Sequence, residues 1–188
     1  PIEIIYEAEH CQISQREIHT HTVSQESALR AALREDPDVI VVGELKDLAT
    51  MQLAIMAAET GHLVFSTLHT NSASQALDRI LDSFEASQQS QIRIQLASSL
   101  SGIFSQRLIP KISGGRVPAY ELLINNAAVA NLIRDKRTHE IDTVIETSSQ
   151  LGMIDFNRCL VERVNQGAIT LENAYLYSNN PKTLEKML

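Results

Sequence analysis

Between residues 22 and 36 the apolar positions Ala28, Leu29, Ala32 and Leu33 return every three to four residues, the spacing of one helical face. Thr22 or Ser24 can supply the capping oxygen. Pro37 ends this helix, because the residue before a proline is pushed out of helical geometry. The pattern then changes to four consecutive apolar residues, Val39 to Val42. Such a run predicts a strand over 38–43 that is covered on both faces, as in a parallel sheet. Asp47 opens a second helix with Leu48, Met51, Leu53, Ala54, Ile55 and Ala58 on its apolar side and Gly61 as its C-cap. Residues 62–68 read as another strand. Asn71 or Ser72 opens a third helix with Ala76, Leu77, Ile80 and Leu81 on one side.

The spacing predicts one long helix over 88–104. Strands over 107–112 and 117–124 follow, joined by Ser113-Gly-Gly-Arg116 as a hairpin turn. At the start of the chain, 2–6 reads as the end of a strand and 13–18 as a short edge strand. After Asn125 the pattern becomes a series of short helices at about 127–136, 139–148, 153–166 and 170–178, with Gly152, Gly167 and Pro181 as breaks. Alternating strands and helices predict an α/β fold with a mostly parallel sheet. The expected division is a core over 1–125 and a helical satellite over 126–188.

Composition narrows the class. The 188 residues are 44% hydrophobic and 21% charged, ordinary values for a globular domain. No apolar run approaches the ~20 residues needed to span a bilayer, which makes a cytoplasmic address the expectation. The net charge is −7 and no cluster of Lys and Arg stands out, which argues against nucleic acid as a partner. Cys11 and Cys159 are the two cysteines, with no CxxC pairing; they read as two buried thiols rather than a disulfide framework or a zinc site.

Three segments carry candidate chemistry. Pro37-Asp-Val-Ile-Val-Val-Gly-Glu44 places a carboxylate at the C-terminal end of an apolar strand, the edge where open α/β sheets bind ligands. There Glu44 can hold Mg²⁺ through water or polarise an attacking water. The segment also reads simply as a buried strand followed by a solvated Glu. Gly61-His-Leu-Val-Phe-Ser-Thr-Leu-His-Thr70 ends a second strand in Thr67, His69 and Thr70. His69 suits a phosphate contact, or it is an ordinary satisfied polar residue. His62 sits at the other end of that strand, far from His69 at ~3.3 Å per residue. Pro1-Ile-Glu3 has a carboxylate after a possible strand and signals nothing alone.

Taken in order and with their spacing, these segments resemble the secretion and pilus ATPases. Pro1-Ile-Glu3 is similar to the end of their Asp box, residues 34–47 to their atypical Walker B and residues 59–70 to their His box. Cys11 to Glu17, Ala76 to Ile80 and Ser105 to Ile109 fit as well, so the resemblance covers essentially the whole chain. No cysteine lies between Cys11 and Cys159, whereas the extension and type II secretion branches carry a four-cysteine insert in this half. That points to the PilT-type retraction branch. Ala128-Val-Ala-Asn-Leu-Ile-Arg-Asp135 resembles that branch's signature, with Ala130 in place of an arginine and Asp135 in place of a glutamate. By itself this segment also reads as an ordinary amphipathic helix with Val129, Leu132 and Ile133 buried.

The resemblance implies a RecA-like P-loop NTPase fold and hydrolysis of ATP with Mg²⁺ in a homo-hexamer that drives pilus retraction. It implies Glu3 as general base, Glu44 as the support of Mg²⁺ and water, and His69 as the γ-phosphate contact. His62 and Thr67 belong to the same box. Asn131, Leu132, Ile133, Arg134 and Asp135 form the retraction motif. The implied partner is an inner-membrane platform protein, met by peripheral association at the cytoplasmic face of the bacterial inner membrane. No G-x-x-x-x-G-K-[ST] occurs in these residues. The chain therefore reads as a fragment whose phosphate loop lies upstream and which is inactive alone. The alternatives are a DNA-uptake or other secretion ATPase of the superfamily, and a degenerate accessory subunit that does not hydrolyse.

Overall fold

The computed structural model describes residues 2–188, and Pro1 of the Asp-box segment lies outside the described residues. The chain forms two compact units that meet in sequence at Leu68 and His69. In the first, helix α1 (Gln25–Ala32) is capped by Ser24, whose side chain accepts from Ser27 N. Strand β1 (Val39–Val42) follows, then helix α2 (Leu48–Glu59), capped by Asp47 through Thr50 N and Thr50 Oγ1. Gly61 takes the positive φ of +102° that ends α2 and turns the chain into strand β2 (Leu63–Ser66). β1 and β2 pair in parallel, Val39 with Leu63 through Val42 with Ser66.

Ile40 and Val42 of β1 point into a core with Leu29, Leu53, Ala54 and Ala57. Val39 and Val41 are on the other face and are 49% and 75% exposed. The expectation of a strand covered on both faces is corrected here: among the described residues, α1 and α2 cover one side of this pair. The expected strands at 2–6 and 13–18 are also absent among the described residues. The Gln15 side chain takes the place of a pairing strand, accepting from Tyr6 N and donating to Ile4 O, each at 2.9 Å. Among the described residues, 2–24 carries a bridge between Ile18 and Thr22 and turn hydrogen bonds such as His19 N to Thr22 O and His21 N to Glu17 O. Cys11 is exposed, against the expectation of a buried thiol, while Cys159 is buried.

The second unit starts with helix α3 (Ala73–Asp82), capped by Ser72, and helix α4 (Ala86–Ser99). Strands β3 (Gly102–Pro110) and β4 (Arg116–Ile124) form an antiparallel hairpin. Its turn uses Gly114 and Gly115 at φ +84° and +73°. The predicted helix over 88–104 is thus cut at Ser99. Leu100 is already extended, and a Cβ at Gly102 would stand 2.7 Å from Leu123 O, a close approach of two strands rather than of a helix. From there Ser105 and Ile109 point inward with a period of two.

Short helices complete this unit: α5 (Ala127–Arg134), α6 (Ile141–Thr147), α7 (Phe156–Asn165), α8 (Leu171–Tyr177) and α9 (Pro181–Met187). Pro181 opens α9 instead of merely breaking the chain, because a proline at the first helical position has no N–H to lose. Ile109 and Ala119 of the hairpin share a core with Phe156, Cys159, Leu160, Ile169, Ala174 and Leu184, so residues on both sides of position 125 bury one another. No helix among the described residues is long and apolar enough to cross a membrane.

Candidate functional site

The C-terminal ends of β1 and β2 are fastened to each other. Ser66 Oγ donates to Val42 O at 2.8 Å and Thr67 Oγ1 to Gly43 O at 2.6 Å, while Leu45 N donates to Thr67 O at 3.1 Å. A parallel pair ends in polar backbone that no further ladder satisfies. Here two hydroxyls and one amide continue the pairing past the last strand residue. The result fixes Glu44 and Thr67 side by side at the edge where parallel sheets bind ligands. The Glu44 side chain is 23% exposed and lies 3.0 Å from Lys46 Nζ, and its carbonyl accepts from Gln25 Nε2 of α1. Glu44 is thus anchored through its backbone, with its carboxylate half-buried beside Lys46.

His62 stands at the opposite, N-terminal end of β2. Its Nδ1 lies 3.0 Å from Ala57 O and 3.2 Å from Thr60 Oγ1, closing the turn between α2 and β2. Glu3 is exposed in the segment that has neither helix nor strand. His69 is the first residue of the second unit, and its carbonyl accepts from Arg79 Nη1 at 3.1 Å. Of the expected site residues, the fold of the first unit therefore brings Glu44 and Thr67 together and sets His62 at the far end of their strand pair.

The segment resembling the retraction signature is helix α5, capped by Asn126 through Val129 N. Leu132 and Ile133 are buried, with Val129 and Ala130. Asn131, Arg134 and Asp135 are exposed, and Arg134 Nη2 donates to Asn131 Oδ1. The substitution at Ala130 falls on the buried side, 8% exposed, and not on the outward face where a lost arginine would leave a partner without its charge.

Two functional candidates escaped the sequence reading. Glu121 of β4 is 5% exposed and accepts from Ala73 N at 2.8 Å, at the start of α3. Burial pushes its carboxyl up to about 7, Asp142 and Asp155 push the same way, and the Ala73 amide and Arg107 oppose them. Arg107 of β3 spans several elements, and burial holds its guanidinium below the usual arginine range. The signal that could have found both is the period of two: strand alternation puts a charge at an inward position in each arm of the hairpin.

Among the described residues no group of three or more His, Cys, Asp or Glu is placed to hold a metal ion. The Glu44 carboxylate at the strand edge is a group of the type on which a Mg²⁺ that keeps its waters can rest.

The whole chain superposes on a crystal structure of the pilus retraction motor PilT with bound ADP, with a TM-score of 0.92 and 50% sequence identity, over 53% of that chain. The fold is accordingly the RecA-like α/β fold with flanking helices. Residues 1–114 match the type II/IV secretion system proteins, and the chain belongs to that family. It is 48% identical over 174 residues to the type IV pilus retraction ATPase PilT of Pseudomonas aeruginosa, covering 93% of this chain and 51% of that protein. It is 45% identical over 185 residues to a twitching motility protein of Neisseria gonorrhoeae, covering 98% of this chain and 50% of that one. The chain spans about half the length of these curated relatives.

Proposed function

We propose that this chain is part of a ring-forming ATPase that powers retraction of type IV pili. The observation that carries the reading is the fastened edge of β1 and β2, which holds Glu44 beside Thr67 in a fold shared with an ADP-bound retraction motor. Phosphoryl transfer to water needs positioning and charge neutralisation more than covalent chemistry. In this proposal Glu44 supports Mg²⁺ and the attacking water at the strand edge. Thr67 keeps that edge in register, Glu3 serves as general base, and His69 contacts the γ-phosphate with His62 supporting its strand. ATP supplies the transferred phosphoryl group, and the lysine and backbone cradle that would hold its phosphates are not among these residues.

Residues 1–125 handle nucleotide in this scheme and 126–188 form the helical appendage. The protein acts as a homo-hexamer at the cytoplasmic face of the inner membrane, against a platform protein, with no nucleic-acid partner. Asn131, Arg134 and Asp135 on the exposed side of α5 are the residues proposed to meet that partner, with Leu132 and Ile133 holding the helix to its core. In a piliated host, Glu44→Ala in the chromosomal copy leaves pili extended and abolishes twitching. Normal twitching in that strain, with the variant protein present at wild-type level, rejects retraction as the function.

A further inference from the structure

The backbone leaving His69 is held at alternate residues by side chains from the rest of its own unit. Arg79 Nη1 donates to His69 O, Arg107 Nη2 donates to Asn71 O at 3.0 Å, and Ala73 N donates to the Glu121 carboxylate at 2.8 Å. Arg107 reaches further than the others. Its Nη1 donates to Tyr177 O at 2.8 Å and its Nη2 also donates to Asn179 Oδ1, so it ties the turn between α8 and α9 to the segment after His69. The guanidinium lies over the Phe156 ring at 4.8 Å from the centroid, which fixes its plane. Its Nε is buried and has no acceptor, so the connection rests on the two terminal nitrogens.

We infer that Arg107 is a positioning residue that couples the segment 69–73 to the C-terminal turn 177–179. The geometry explains why a single side chain can do this. A planar fork with fixed donor directions holds acceptors on two sides at once, which a lysine ammonium on a flexible stem does not. The turn at 177–179 is separated from Asn71 by more than a hundred residues of sequence, yet one guanidinium is bonded to both. Movement of the Asn71 carbonyl therefore breaks or drags the bonds to Tyr177 and Asn179. The inference rests on the proposed function in one respect: nucleotide at the His69 segment is what would move it. The C-terminal helices then become the place where that movement is delivered.

The test uses the intact protein, with Arg107→Gln, Arg107→Lys and Asn179→Ala, and reads amide hydrogen exchange together with kcat and KM for ATP. Asn179 is exposed, so its alanine variant probes the connection without disturbing the core. Without nucleotide, Arg107→Gln and Asn179→Ala should each speed exchange in both 69–73 and 177–180 by threefold or more, with Arg107→Lys between them and wild type. Loosening confined to 177–180 overturns the coupling. With ADP, wild type should gain protection at 177–180 and Arg107→Gln should lose that gain, with kcat down about tenfold and KM within twofold. A nucleotide response kept in Arg107→Gln also overturns it. Failure of wild type to turn over ATP sinks the ATPase reading instead, and the coupling is then decided by the nucleotide-free exchange alone.

Discussion

Replacing Glu121 by glutamine keeps an oxygen for the Ala73 amide and removes a charge that the fold holds at a cost. The carboxyl is buried between β4 and the start of α3, and its pKa is raised from 4.5 to about 7. A carboxyl raised in the folded state binds its proton more tightly there than in the unfolded chain. Stability is then greatest below the unfolded value, falls as pH climbs from about 4.5 towards 7, and is flat above. A shift of about 2.5 pH units corresponds to roughly 3 kcal/mol, most of it lost between pH 5 and 8. Asp142, Asp155 and Arg107 are the charged groups acting on Glu121, and the two aspartates add to the effect. Burial also raises Asp155 and Glu146, which leaves part of the pH slope in place after the substitution. Urea unfolding followed by circular dichroism should show Glu121→Gln losing about 2 to 3 kcal/mol less than wild type between pH 5 and 8. The two proteins should be close at pH 5, and the variant more stable at pH 8. Parallel pH profiles within about half a kcal/mol would refute the reasoning, since they would mean that Glu121 ionises in the fold as it does in the unfolded chain.

Leu77→Ala empties a fully buried position of α3 and should cost about 2 to 5 kcal/mol in the same unfolding experiment, more than any exposed alanine substitution on that helix. Gly102→Ala places a Cβ 2.7 Å from Leu123 O, so the hairpin must shift at its open end, and a loss of about 1 to 3 kcal/mol is expected. An unchanged midpoint in either variant would contradict the packing described.

The elements around the candidate site were legible because local chemistry and packing agree there. β1 is bounded by Pro37 and Gly43, α2 has its Asp47 cap and Gly61 exit, and Ser24 and Ser72 cap the helices expected from the apolar spacing. The start of β3 was hidden. Ile103 and Phe104 continue the apolar spacing of α4, and only the close approach of Gly102 to Leu123 separates helix from strand. Residues 2–6 and 13–18 have the composition of strands but find no partner strand among the described residues, and the Gln15 side-chain amide bonds the backbone of Ile4 and Tyr6 instead. Glu44 was legible from its place after an apolar run. Its neighbour across the edge, the hydroxyl of Thr67 on the Gly43 carbonyl, depends on strand register and needed the structure. Alternation along the hairpin marks Arg107 and Glu121 as inward charges, but their partners lie across 36 and 48 residues of sequence, which no local pattern specifies.

The most direct test of the motor reading is steady-state ATP turnover by the intact protein, measured beside Glu44→Ala and this 188-residue chain alone. The account predicts Mg²⁺-dependent turnover in the intact protein, a fall of at least a hundredfold in Glu44→Ala with the ring still assembled, and none from the isolated chain. Turnover that survives Glu44→Ala, or a folded and assembled intact protein that hydrolyses nothing, would contradict it.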